Sequence, residues 1–153
     1  MDEKILKNEL FNSDTEFALR ILSLLEIEER AVSMEEVFIV DFISCYPSFF
    51  DIGGEDIVGA NSFLLGELPL RRQKVSDALR VLLFKGLVSV KLDPREGYLY
   101  EATSEGQNFD LSFNNDYMEM YRDNVYAVIE KYEGKTDEEL MEVLKFHLTK
   151  ETD

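Results

Sequence analysis

The chain has 153 residues, 45% of them hydrophobic and 31% charged, the size and composition of one compact domain able to bury ~70% of its unfolded surface. Thirty-two acids against 16 lysines and arginines give a net charge of −16, which repels nucleic-acid phosphates and anionic membranes, so any nucleic-acid contact needs a local patch. The single cysteine, Cys45, excludes an internal disulfide and points to a reducing compartment, and no apolar run approaches the ~20 residues that span a bilayer.

Residues 1 to 11 read as a short arm that carries acids and no long apolar region of the secretory-leader kind, which fits a cytoplasmic location. Ser13 and Glu16 stand at capping-box spacing. Ala18, Ile21, Leu22 and Leu25 then follow the i, i+3, i+4, i+7 pattern of a first helix ending near Leu25. A polar turn from Glu26 to Val32 follows, and Ser33 with Glu36 repeats the capping spacing. Val37, Phe38, Ile39, Val40, Phe42, Ile43 and Tyr46 make the next helix apolar almost all round, which predicts a central buried helix stopped by Pro47. Asp41 is the one charge within that apolar run. If buried, it needs a donor such as Arg20, Arg71 or Arg72; if exposed, it shares a thin polar stripe with Ser44.

Residues 48 to 69, with Gly53, Gly54, Gly59, Gly66 and Pro69, read as a long ordered loop. Helical spacing resumes from Leu70 to Phe84, with Val75, Ala78, Leu79 and Leu82 inward and Gly86 just past the end. Val88, Val90 and Leu92 then alternate with Ser89 and Lys91, a turn follows over residues 93 to 97, and Tyr98 to Thr103 alternates again, which predicts a β-hairpin. Ser104, Glu105 and Gly106 break the second strand. A helix from about Asn115 to Tyr132 carries Tyr117, Tyr121, Val125, Val128 and Tyr132 along one side, and Gly134 closes it. Thr136 with Glu139 starts a last helix, whose stripe is Leu140, Val143, Leu144 and His147. The expected fold is α+β and mainly α. It comprises a winged helix of three helices and a hairpin wing over residues 12 to 110, then a two-helix extension over residues 111 to 153 that packs on the domain or on a partner.

The charge is uneven. Residues 69 to 95 hold Arg71, Arg72, Lys74, Arg80, Lys85, Lys91 and Arg95 against Asp77 and Asp93, a net +5 that leaves −21 on the remainder. With Val75 set inward, helical geometry places Gln73, Asp77, Arg80, Val81 and Phe84 on the solvent side. Asp77 opposes phosphate in the middle of that face, whereas Val81 and Phe84 offer an apolar contact suited to a protein partner; the alternative is that the C-terminal helices cover Phe84. Arg71 and Arg72 fall toward the core at the helix start, where a guanidinium needs a carboxylate or carbonyl partner. The candidate partner contacts are therefore Arg71, Arg72, Lys74, Arg80, Val81 and Phe84, with Arg80, Lys85, Lys91 and Arg95 as a strip for an acidic surface or nucleic acid.

Catalytic chemistry finds no constellation to rest on. His147 is the sole histidine and lies near the end of the last helix, and Cys45 has no Cys-x-x-Cys partner. Gly53-Gly54-Glu55-Asp56 lacks the Gly-Lys-Ser/Thr of a phosphate-binding loop. The chain reads as non-catalytic, with no metal, cofactor or small-molecule ligand.

Four segments in order, NSDTEFALRILSLL at 12 to 25, VDFISCYPSFFDI at 40 to 52, NSFLLGELPLRRQKV at 61 to 75 and LLFKGLV at 82 to 88, make the chain similar to the middle-component family of ABC-three-component systems. The resemblance covers residues 12 to 109. The family's double arginine maps onto Arg71 and Arg72 and its Gly-Leu-Val ending onto Gly86, Leu87 and Val88, whereas its frequent His-Ser-Gly-Asp run is replaced by Cys45-Tyr46-Pro47-Ser48. The resemblance implies a small winged-helix-like accessory subunit of a bacterial anti-phage system of the Lamassu type. Such a subunit docks onto an SMC-like ATPase and links or regulates the effector, with DNA reached through the complex. The alternative reading is a free-standing winged-helix transcriptional regulator that binds DNA itself and dimerises through its C-terminal helices.

Overall fold

The computed structural model describes residues 14–57, 64–112 and 114–150. In chain order these form α1 (Asp14–Glu28), β1 (Val32–Ser33), α2 (Met34–Cys45), a 3-10 turn (Pro47–Phe50), α3 (Leu64–Phe84), β2 (Val88–Asp93), β3 (Gly97–Ala102), α4 (Ser104–Ser112), α5 (Asp116–Lys131) and α6 (Asp137–Lys150). The architecture is α+β and mainly helical, with one small antiparallel sheet in the order β1-β3-β2. The arm of residues 1 to 11 and Ser13 of the first capping pair lie outside the described residues.

The apolar run of α2 sets the centre of the molecule: every residue from Val37 to Cys45 is buried. Ser33 starts this helix by accepting a hydrogen bond from the Glu36 N–H at 3.1 Å, and Tyr46 with Pro47 ends it. Around α2 a single cluster gathers Ile21, Leu22 and Leu25 of α1, Val75, Leu79 and Leu82 of α3, Val88 of β2, Tyr121, Val125 and Val128 of α5, and Leu140, Leu144 and Leu148 of α6. The C-terminal helices thus bury their apolar stripes in the same core as the first three. Ser33 adds a direct tie by donating to Asp137 Oδ2 at 2.6 Å, so the starts of α2 and α6 are held together.

The hairpin register pairs Val88 with Ala102, Val90 with Tyr100 and Leu92 with Tyr98. Directly paired residues share a face, so these six make one apolar side of the ribbon. At its root that side packs on the core through Val88; toward the tip it opens to solvent, with Leu92 69% and Tyr98 63% exposed. Asp93 Oδ1 shapes the turn by accepting the N–H groups of Arg95 and Glu96.

Several elements differ from the expectation. α1 continues to Glu28 and is followed by Glu29 at φ 57°. α3 begins at Leu64, so both Gly66 and Pro69 lie inside the helix, and residues 58 to 63 of the expected loop lie outside the described residues. A proline this near a helix start removes only one internal donor, a cost that the long helix behind it absorbs. β1 is two residues long and carries no periodicity of its own; it forms because Val32 and Ser33 pair with Tyr100 and Leu99 of β3. Ser104, Glu105 and Gly106 do end the strand, but they open α4, because Thr103 caps it by accepting the Gly106 N–H at 3.0 Å. A further helix, α4, therefore stands between the hairpin and the two helices expected over residues 111 to 153.

Gly106 is where α4 meets the root of the hairpin. A Cβ there would collide with the Leu87 carbonyl oxygen and press on Leu22 Cδ1 at 3.1 Å, whereas a Cβ at Gly53 meets nothing within 4 Å. Gly106→Ala is expected to destabilise the chain by about 1–3 kcal/mol, as overpacking does, while Gly53→Ala leaves it within about 0.5 kcal/mol. Urea denaturation midpoints of the two variants check this, and equal midpoints would contradict the packing.

Candidate functional site

Five residues of α1, α2 and α5 form a polar network within the helical core. Arg20 of α1 is completely buried and donates through Nε and Nη2 to the two carboxylate oxygens of Asp41 on α2, at 3.0 and 3.2 Å. Its third nitrogen, Nη1, donates to Glu16 Oε1 at 2.7 Å. From α5, the Tyr121 hydroxyl donates to Asp41 Oδ1 at 2.7 Å and the Tyr117 hydroxyl donates to Glu16. The Phe17 ring lies 4.1 Å from the Arg20 guanidinium carbon. Burial opposes the charge on Arg20, yet Asp41 holds its pKa well above the ordinary value, so the cation persists inside the protein. Of the three arginines considered for Asp41, Arg20 is the partner. Glu16 carries an unexpected function in turning inward to Arg20.

The arginines of α3 are held differently. Arg72 grips Glu35 of α2 with two bonds of 2.6 and 2.8 Å and lies over the Phe38 ring. Arg71 donates to the Tyr46 hydroxyl and, at 3.4 Å, to Glu67 Oε2. Lys74 stands 3.6 Å from Asp14. These three cations face neighbouring elements of the same chain. Arg80 is exposed, with Asp77 at 3.8 Å, while the side chains of Lys85, Lys91 and Arg95 are exposed and have no ion pair among the described residues.

Gln73, Asp77, Arg80, Val81 and Phe84 all lie on the exposed side of α3. The C-terminal helices do not reach Phe84, which is 92% exposed. The structure therefore presents an apolar pair, Val81 and Phe84, between Arg80 and Lys85, and next along the chain a hairpin whose open end shows Val90, Leu92 and Tyr98. The sequence reading takes Lys91 and Arg95 from the hairpin but not its apolar residues; their trace is the strict alternation of Val88, Val90 and Leu92, which continues past what the core can cover.

The remaining reactive side chains sit in structural contacts. Burial pushes the Cys45 thiol up to about 12 and the Tyr46 hydroxyl up to about 12, so both stay protonated at neutral pH. The His147 ring packs beside Phe50, with Nδ1 3.0 Å from the Val143 carbonyl and Nε2 3.9 Å from Asp51. Among the described residues, no group of three or more His, Cys, Asp or Glu side chains is placed to hold a metal ion, and no helix is long and apolar enough to cross a membrane.

A single core shared by α1, α2, α3, α5 and α6, with the cations of α3 divided between inward ties and an open end, is the frame in which the comparison with known families falls. The model of the family "ABC-three component (ABC-3C) system Middle Component 2" matches residues 10–152, nearly the whole chain, and the protein belongs to that family. It is therefore a middle component of an ABC-three-component system, one part of a multi-component assembly. No curated protein and no solved structure matches it.

Burial raises the Glu16 pKa to about 7, with Arg20 pulling it back. The unfolded chain releases that proton near pH 4.3 and the folded chain holds it, so the stability it contributes is full below the unfolded pKa and is lost as pH rises through about 7. Stability is expected to fall by roughly 2–3 kcal/mol between about pH 5 and 8 from this group. Glu16→Gln, which keeps an acceptor for Arg20 and Tyr117, flattens that slope. Urea titrations at a series of pH values check the sign, and parallel curves for both proteins would contradict it.

Proposed function

We propose that the chain is the non-catalytic docking subunit of its system, seating the open end of α3 on an SMC-like ATPase and linking or regulating the effector of the same complex. The setting is the bacterial cytoplasm, in an anti-phage defence of the Lamassu type. The observation that carries the reading is Phe84, a large apolar side chain 92% exposed at the end of α3 with Val81 one turn before it. An aromatic centre flanked by cations is the composition of a protein interface, where such anchors carry most of the binding energy. The exposed side chains of Arg80, Lys85, Lys91 and Arg95, within a chain of net charge −16, favour an acidic face on the partner.

We read residues 14 to 102 as a winged helix. Support comes from the order α1-β1-α2-α3-β2-β3 and from the way the short β1 closes the sheet against β3. On that reading α3 stands in the recognition-helix position and the hairpin is the wing. A free-standing DNA-binding regulator is the second reading, favoured by the exposed side chains of Arg80, Lys85, Lys91 and Arg95. Asp77 in the middle of the exposed face and the overall charge weigh against it.

Purification of the tagged chain from its native cell at moderate salt tests the proposal. The wild type is expected to retain the ATPase, and Phe84→Asp is expected to lose it about tenfold or more. The free variant should melt within about 2 °C of the wild type, because the residue is solvent-exposed. Full retention by the variant overturns the docking site. Recovery of a lone homodimer with DNA, released by Arg80→Ala or Lys91→Ala, moves the reading to the regulator.

A further inference from the structure

A second surface, of opposite sign, is built by other elements. An open cleft of about 620 Å³ lies between the end of α1, the start of α2, the hairpin turn and the turn joining α5 to α6. Val40, Val128 and Leu140 contribute apolar wall, and Glu28 and Glu36 stand beside them. These two carboxylates share one cation, Arg30, which is 2.6 Å from Glu36 Oε1 and 3.4 Å from Glu28 Oε2. Arg30 donates a hydrogen bond to Glu36 and makes none to Glu28.

The mismatch lies at Glu28. Its side chain is only 4% exposed while that of Arg30 is 57% exposed, so the better-solvated group is the cation, and the 3.4 Å pair between them is held without a hydrogen bond. Burial, with the charge of Glu36 behind it, raises the Glu28 pKa, the same imbalance seen through its proton. An unpartnered group stands in the same wall: Tyr132 is nine-tenths buried and its hydroxyl has no hydrogen-bond partner among the described residues. Glu96 and Glu133 add carboxylates at the cleft against Lys135, so the excess charge is negative.

We propose that this cleft binds a cationic side chain of a partner protein, an alkyl stem on the apolar wall carrying a guanidinium or ammonium head to Glu28. Long basic side chains suit such a site because the methylenes bury while the head keeps charge-assisted hydrogen bonds. A linking subunit gains from this a second interface, opposite in sign to the α3 end and made of different residues. The site stands on its own geometry and does not depend on the docking of Phe84.

The test uses the isolated, isotope-labelled full chain at neutral pH, with n-butylguanidinium, n-butylammonium and 1-butanol as probes in two-dimensional NMR. One or both cations are expected to shift the amides of residues 28 to 36 and 132 to 136 saturably, while butanol at equal concentration leaves them in place. Glu28→Gln with Glu36→Gln is expected to weaken the cation about tenfold or more. If the double variant does not fold, Glu28→Gln alone, which keeps the Arg30–Glu36 pair, serves the same comparison. Equal response to butanol, equal affinity in the variant, or shifts spread over the acidic surface without saturation overturns the site. The stronger of the two cations tells an arginine from a lysine.

Discussion

Arg20 is a full positive charge in the middle of the core, and the helices around it are placed to satisfy it. A buried guanidinium left without partners would be prohibitive, so Glu16 must come from its own helix and Asp41 from α2. Asp41 needs a further donor, which Tyr121 brings from α5. The consequence is geometric: three helices distant in sequence are fixed in register by directional bonds, where apolar packing alone tolerates sliding. The C-terminal helices are thereby part of the fold itself and close the core that the first three helices and the sheet leave open.

With that frame set, the cations of α3 divide by position. Arg71 and Arg72 are spent on Tyr46, Glu67 and Glu35, which seats the first half of the helix on α2 and its C-cap. The second half, past Asp77, has no such ties on its outer side and ends in exposed Phe84. The exposed apolar end of α3 belongs to a chain whose family places it among several components of one system. The acidic cleft extends the same logic to a second, chemically opposite contact.

Much of this was legible in the residues. Helical spacing located the inward positions of α1, α3, α5 and α6, because those stripes are long and regular, and the alternation in 88 to 92 and 98 to 102 marked the hairpin. The solvent side of α3 followed from the angle per residue alone. What escaped depends on contacts between distant segments. β1 is two residues long and exists only through β3; α4 starts at a Ser-Glu-Gly run that reads as a break unless Thr103 is seen as its cap. The bond from Arg20 to Glu16 follows from the i, i+4 spacing of the two, but only once both are known to lie on the buried side. The cleft at Glu28 is assembled from four separate stretches of chain, and no local pattern announces it.

Hydrogen exchange of the whole chain, free and within the assembly purified from its native cell, tests the central claim most directly. The account predicts slowed exchange in the assembly over the last turns of α3 and the open end of the hairpin, with α1, α2 and α5 protected to the same high degree in both states. Protection gained elsewhere with the α3 end unchanged, or α5 exchanging as a separate, weaker unit in the free chain, would contradict it.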